Sequence, residues 1–264
     1  MERIDLGAPP TCGMSLLIYG APGIGKSTLV SRLAWAAESF GSPACLIDTE
    51  NGLYSAARGL NLNRTELLSA TSSGDGKAVL ERLADCKNQP PGLIAVDTMS
   101  ELSEMILRDA AGLLDTPQLQ HYGTRKAVLS RCVRALRDTA FMGGVAVATF
   151  QQEAKEIEGL TGHWRPSLPE KSAVDAIAQF DCVARLRIVQ DHEADRMKLE
   201  AGCRYLDFRP SSQQTAKCRT ASEIFGGRDA SWHIWPIRNE MDIADLYQKL
   251  ARITEAKQEG TKDD

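Results

Sequence analysis

A chain of 264 residues with 43% apolar and 25% charged content is sized for one large α/β domain with a full core. Its net charge of −4 at pH 7 excludes a general attraction to nucleic acid, so any such contact must come from local basic segments. No apolar run approaches the about 18 residues of a membrane span, and Met1-Glu2-Arg3-Ile4-Asp5 lacks a signal-peptide layout, so the expectation is a cytoplasmic protein with no membrane partner.

Residues 1–14, with Pro9, Pro10 and Gly13, form a lead-in. The apolar run Ser15 to Tyr19 is the first strand, and it breaks into Gly20-Ala21-Pro22-Gly23-Ile24-Gly25-Lys26-Ser27-Thr28. This is the P-loop pattern G-x-x-x-x-G-K-[ST] between a strand and a helix, and it implies a site for a nucleoside triphosphate with Mg²⁺. Gly20 and Gly25 permit backbone angles and close approaches that a Cβ forbids. Amides from Gly23 to Ser27 are expected to hold phosphate oxygens at the positive end of the following helix, Lys26 to reach the outer phosphates and Ser27 to ligate Mg²⁺.

Leu29, Val30, Leu33, Ala34 and Ala37 recur at helical spacing over Ser27 to Phe40, and Gly41-Ser42-Pro43 stops that helix. Strands follow at Ala44 to Asp48, Leu67 to Ala70 and Leu93 to Asp97, with a helix over Lys77 to Cys86. A helix starts at Glu101, Ala110 to Gly123 reads as looser, and a second helix covers Arg125 to Phe141. Gly143 to Phe150 is the next strand, ending at Gln151 and Gln152, and polar Glu153 to Lys171 reads as a long loop. Phe180 to Val189 and Met197 to Phe208 read as two strands joined in a hairpin across Gln190 to Arg196. Trp232 and Trp235 read as core, and Asn239 caps an amphipathic helix reaching Ala256. Residues 1–256 are thus expected to form a single domain, with 257–264 as a charged tail. Alternating strands and helices followed by hairpins predict an α/β fold: a mainly parallel sheet flanked by helices, with an antiparallel edge extension. Seven cysteines, Cys12, Cys45, Cys86, Cys132, Cys182, Cys203 and Cys218, lack C-x-x-C pairing and read as reduced thiols rather than a zinc site.

Asp97 closes an apolar strand and is the candidate Mg²⁺-holding Walker B aspartate. Its neighbour is Thr98, whereas AAA+ motors carry a water-activating glutamate there. Glu50, just past the strand after the P-loop helix, is the candidate base, because strand ends of a parallel sheet converge on one crevice.

Leu46-Ile47-Asp48-Thr49-Glu50, Ala95-Val96-Asp97-Thr98 and Val145-Ala146-Val147-Ala148-Thr149-Phe150-Gln151 resemble the matching segments of RecA-family ATPases. The resemblance implies a RecA-like core, with Glu50 catalytic, Asp97 as Walker B and Gln151 as γ-phosphate sensor, Gln152 being the alternative in register. Arg165 to Lys171, Phe180 to Leu186 and Ala216 to Arg219 are similar to the phage Sak-type nucleotide-binding proteins, RecA-like ATPases associated with single-strand annealing and recombination. The P-loop itself, Gly-Ala-Pro-Gly-Ile-Gly-Lys-Ser, is written in an AAA-like style.

The resemblance implies an ATP hydrolase, stimulated by DNA, that works with Mg²⁺ as a homo-oligomeric ring or filament on single-stranded DNA. A single-strand-binding protein is a further expected partner. Lys217 and Arg219, two apart on a strand, would reach a neighbouring subunit's site as arginine fingers do, or else form a solvated basic pair. Lys155, His163, Trp164, Arg165 and Lys171 put cations around one aromatic, a mixture suited to stacking and neutralising single-stranded DNA. The Ala110–Gly123 stretch, with His121 and Tyr122, is a second DNA candidate. An ATP-driven remodeller or helicase loader, and a nucleotide-gated assembly protein with little hydrolysis, remain as alternatives.

Overall fold

A computed structural model describes residues 13–72, 74–112, 114, 116–157, 160–227 and 233–252. Cys12, Trp232 and the 257–264 tail lie outside the described residues.

The chain runs β1 (Ser15–Gly20), α1 (Lys26–Ser39), β2 (Ala44–Asp48), α2 (Gly52–Ala57), β3 (Thr65–Ser69), α3 (Asp75–Asn88) and β4 (Leu93–Asp97). It continues through α4 (Met99–Ala111), α5 (Leu119–Phe141), β5 (Val145–Ile157), β6 (Leu160–Pro166) and α6 (Glu170–Gln179). The remainder is β7 (Cys182–Ile188), α7 (Asp191–Met197), β8 (Arg204–Asp207), β9 (Lys217–Cys218), α8 (Ala221–Phe225), β10 (Ile234–Ile237) and α9 (Glu240–Leu250).

One sheet takes the order β10-β8-β7-β1-β5-β4-β2-β3, with β6 on β5 and β9 on β7. β3 through β7 in that order pair parallel, and β8 and β10 extend the edge antiparallel. The fold is therefore the α/β class that the strand–helix alternation predicts. The central strands are apolar without alternation because helices cover both faces. Leu16, Ile18, Leu93 and Ala95 face α1 and α9, while Leu17, Tyr19, Ile94 and Val96 face α3, α4, α5 and α6. β5 lies between the strand that feeds the P-loop and the strand that ends in Asp97. That insertion brings Gln151, at the register of Gly20, between the two. Among the described residues no helix is long and apolar enough to cross a membrane.

Three expectations need correction. Glu153 to Lys171 is not a long loop: β5 continues to Ile157 and pairs antiparallel with β6, Ala154 opposite Trp164 and Lys155 opposite His163. Its acidic and basic residues suggested a solvated loop, but a ribbon projecting from a sheet is solvated too. Gln190 to Arg196 is not a hairpin turn, and Met197 is not in a strand. Gln190 and Glu193 cap each other's backbone and nucleate α7, so β8 starts only at Arg204. Similarly, Gln118 and His121 form a reciprocal cap, the Gln118 N–H donating to His121 Nδ1 at 3.0 Å. This starts α5 before Arg125 and turns half of the looser stretch into helix.

Candidate active site

The chain leaves β1 at Gly20 and turns through Gly23 (φ 72°) and Gly25 (φ 103°), left-handed positions that side chains disfavour. α1 then starts at Lys26 with its N-terminus toward the loop. Lys26 is buried, and its Nζ donates to Gly20 O (3.0 Å), Ala21 O (3.0 Å) and Gln151 Oε1 (3.1 Å). Burial lowers its pKa, opposed by the negative charges of Asp97 and Glu50.

Asp97 ends β4 fully buried and accepts hydrogen bonds from Ser27 and from Thr149 Oγ1 on β5. Burial raises its pKa; the two hydroxyls pull it down, and the charges of Asp48 and Glu50 push it up again. The Asp97–Thr98 peptide is cis. Thr98 then caps α4, its Oγ1 accepting from Glu101 N (3.2 Å) and donating to Glu50 Oε1 (2.8 Å).

The Glu50 turn is built by Asp48. Its buried carboxylate accepts from Glu50 N (3.1 Å), Gly52 N (3.1 Å) and Leu53 N (2.8 Å), with Tyr54 N at 3.4 Å. Gly52 packs closely there: an added Cβ would stand 3.1 Å from Ser27 Oγ. The turn delivers Glu50 to the P-loop: Gln151 Nε2 donates to Glu50 Oε1 (3.4 Å) while Gln151 Oε1 accepts from Lys26. Gln152 points away and accepts from Arg185 Nε (3.2 Å), so Gln151 is the glutamine in the site. Ser100 anchors its backbone, accepting from Gln151 N (3.1 Å) and donating to Ser167 O (2.9 Å). Beyond Glu50 and Gln151 opens a cleft of about 510 Å³, lined by Glu101, Glu104, Arg125, Glu153 and Arg165.

Ser27 Oγ and the Asp97 carboxylate, already in contact, are hard oxygen donors at the P-loop. With the phosphates of a nucleotide they form the all-oxygen donor set that Mg²⁺ prefers, so these residues fit the ion.

The sequence profile of the AAA domain family matches residues 13–220. The chain belongs to the AAA domain family. That span contains the P-loop, Glu50, Asp97 and Gln151, and it makes the chain a P-loop ATPase. No curated protein matches this AAA domain. Among solved structures, the KaiC-like protein PH0186 from Pyrococcus horikoshii OT3 aligns with a TM-score of 0.48 at 14% identity, covering 78% of this chain and 83% of that one.

Asp48, Thr98, Thr149, Ser100 and Arg204 are the residues of this AAA domain's site that sequence reasoning missed as site residues. Arg204 comes from β8, its Nε donating to Ile24 O in the P-loop (2.8 Å). An acid ending β2 was visible in the sequence; that it organises the Glu50 turn was not.

Of the DNA candidates of the AAA domain, Lys155, His163, Trp164 and Arg165 lie on the β5–β6 ribbon, and the last three are engaged by partners within the protein. His163 contacts Ser212 O and Thr215 Oγ1 (both 2.9 Å), and Trp164 lies half-buried beneath Arg185, 4.6 Å from ring centre to guanidinium. Arg165 Nε donates to Glu153 Oε1 (2.6 Å), and the Lys171 side chain lies outside the described residues. The expected loop cluster is thus a ribbon on which His163 and Arg165 are paired within the protein. His121 is buried in α5 and Tyr122 lies under Arg125. Lys217 and Arg219 do share a side, both donating to Ala178 O. They sit beside the start of β7, Lys217 level with Leu17 and Arg219 beside Asp181, at the end of β1 remote from Gly20.

Proposed function

We propose that this AAA domain hydrolyses ATP with Mg²⁺ and uses the nucleotide's state to control binding of single-stranded DNA, in annealing or recombination as a homo-oligomer. The observation that carries the hydrolysis is the chain Glu50–Gln151–Lys26, which joins the candidate base to the phosphate-binding lysine through one side chain.

In the reaction Glu50 accepts a proton from water as the water oxygen bonds to the γ-phosphorus and the bond to the ADP oxygen breaks. Thr98 holds the Glu50 carboxylate in place through its hydroxyl. Bound Mg²⁺ would neutralise developing phosphate charge, held by Ser27 and Asp97. Lys26 has three ammonium protons, and all three are in use. A γ-phosphate therefore displaces at least one partner, and Gln151 is the only side chain among them. Since Gln151 leads straight into the β5–β6 ribbon, its release offers a route from the phosphate to the DNA candidates.

The test is Glu50→Gln, expected to cut phosphate release by about 10²–10⁴-fold while nucleotide affinity persists. Wild-type turnover is expected to rise with single-stranded DNA, less so at higher salt. A remodeller or helicase loader without annealing activity is favoured by one observation: Arg125 and Arg165 in the cleft are paired with Glu104 and Glu153. Turnover sensitive to Glu50 but indifferent to DNA at every salt concentration would select that second reading.

A further inference from the structure

Cys182 begins β7 and Cys218 ends β9, directly opposite each other in the antiparallel pair. The next backbone bond runs from Arg219 N–H to Asp181 O (3.0 Å), which leaves the cysteines at the side-by-side position where facing side chains come closest. Their sulfurs are 3.3 Å apart, so a shift of about 1.3 Å reaches the disulfide bond length. Cys182 is wholly buried, Cys218 is partly exposed, and Thr220 Oγ1 stands 3.7 Å and 4.0 Å from the two sulfurs.

We propose that Cys182 and Cys218 are a redox modification site, closed to a disulfide by a peroxide-class oxidant. Cys218 is the attacking thiol, because only it is open to solvent. The Cys182 thiol and Thr220 stabilise the Cys218 thiolate, drawing its pKa down, while the same contact and then burial push Cys182 up. The Cys218 thiolate attacks one peroxide oxygen; the O–O bond breaks, and the departing oxygen leaves as water, giving a sulfenic acid. Cys182 sulfur then attacks Cys218 sulfur, the S–O bond breaks, and the Cys182 proton leaves with hydroxide as a second water. Two thiols lose two electrons, which reduce one peroxide to two waters.

The other close pair lacks this access. Cys45 and Cys86 contact each other, but both are buried between β2 and α3. The 182–218 bridge ties β9 to β7 and clamps the backbone on which Lys217 and Arg219 flank Cys218. It is a property of the thiols alone and does not depend on the ATPase reading.

The experiment exposes the reduced, full-length protein to hydrogen peroxide, then denatures it, alkylates it with N-ethylmaleimide and weighs it intact. The reduced chain takes up seven alkyl groups; the oxidised chain is expected to take up five, since two of seven thiols are consumed. A peptide map should link Cys182 to Cys218, and dithiothreitol should restore seven. In Cys182→Ser, Cys218 is expected to stop at the sulfenic acid and be captured by dimedone. Seven free thiols after oxidation, a link between other cysteines, or dimedone on a residue other than Cys218 would overturn the proposal.

Discussion

Asp97 sits where its surroundings favour the protonated acid. Burial, with Asp48 and Glu50 nearby, favours its neutral form, while the Ser27 and Thr149 hydroxyls and the Lys26 charge support the anion. Its folded pKa lies above the unfolded one, so the folded state binds the proton more readily. Stability without nucleotide therefore falls as pH rises from the unfolded pKa through the folded one, and the charge is a cost at neutral pH. Asp97→Asn is expected to raise the Tm of the nucleotide-free protein at neutral pH while abolishing Mg²⁺-dependent phosphate release, measured by calorimetry and turnover. Asp48 has a structural role, because its carboxylate is the acceptor for the amides of the Glu50 turn. Asp48→Ala strands those donors, which should cost about 3 kcal/mol in urea unfolding, and it should lower turnover more than nucleotide affinity. Lys26, Ser27 and Asp97 were legible because each belongs to a short run read along the chain. Asp48 and Thr149 were not, because an acceptor for amides several residues on, or a hydroxyl on a neighbouring strand, has no signature of its own.

At the scale of elements, Asp207 on the antiparallel edge carries ion pairs to Arg209, two residues on, and to Arg187 on β7. Asp207 on β8 is almost fully buried, and Arg209 meets both of its oxygens at 2.8 Å. Burial alone would raise the Asp207 pKa, but Arg209 and its backbone N–H, with Gln214, outweigh it and lower the value. A depressed folded pKa stabilises above the unfolded value, and that contribution is lost as pH falls through the folded one. Asp207→Asn is expected to cost about 2–4 kcal/mol at neutral pH, and to flatten the acid side of a stability profile recorded by urea unfolding down to about pH 3. Apolar periodicity located the central strands and α1, since burial on two faces or one leaves a clear pattern. The ribbon, α7 and the start of α5 escaped it. Gln190–Glu193 and Gln118–His121 are caps made by unusual residues, and the β5–β6 pairing is a long-range contact between polar segments.

For the molecule as a whole, strand order decides which ends meet. Placing β5 between β1 and β4 gathers Lys26, Gln151, Asp97 and Glu50 at one rim of the sheet. The same order leaves Lys217 and Arg219 at the other end of β1, beyond reach of their own P-loop. If a neighbouring subunit's site receives them, phosphate release per subunit rises with protein concentration. The double variant Lys217→Ala, Arg219→Ala is expected to abolish that rise and leave self-association, followed by light scattering, in place. A concentration-independent turnover in the wild type would exclude the role in trans. The amino-acid sequence by itself determined the P-loop, the acid-ended buried strands and the α/β class, because glycine geometry, phosphate chemistry and apolar runs are local. Only the tertiary structure decided that Gln151 rather than Gln152 meets Lys26, that Asp48 shapes the Glu50 turn, and that two distant cysteines face each other. Those facts depend on strand register, and a shift of one residue sends every side chain of a strand to the opposite face.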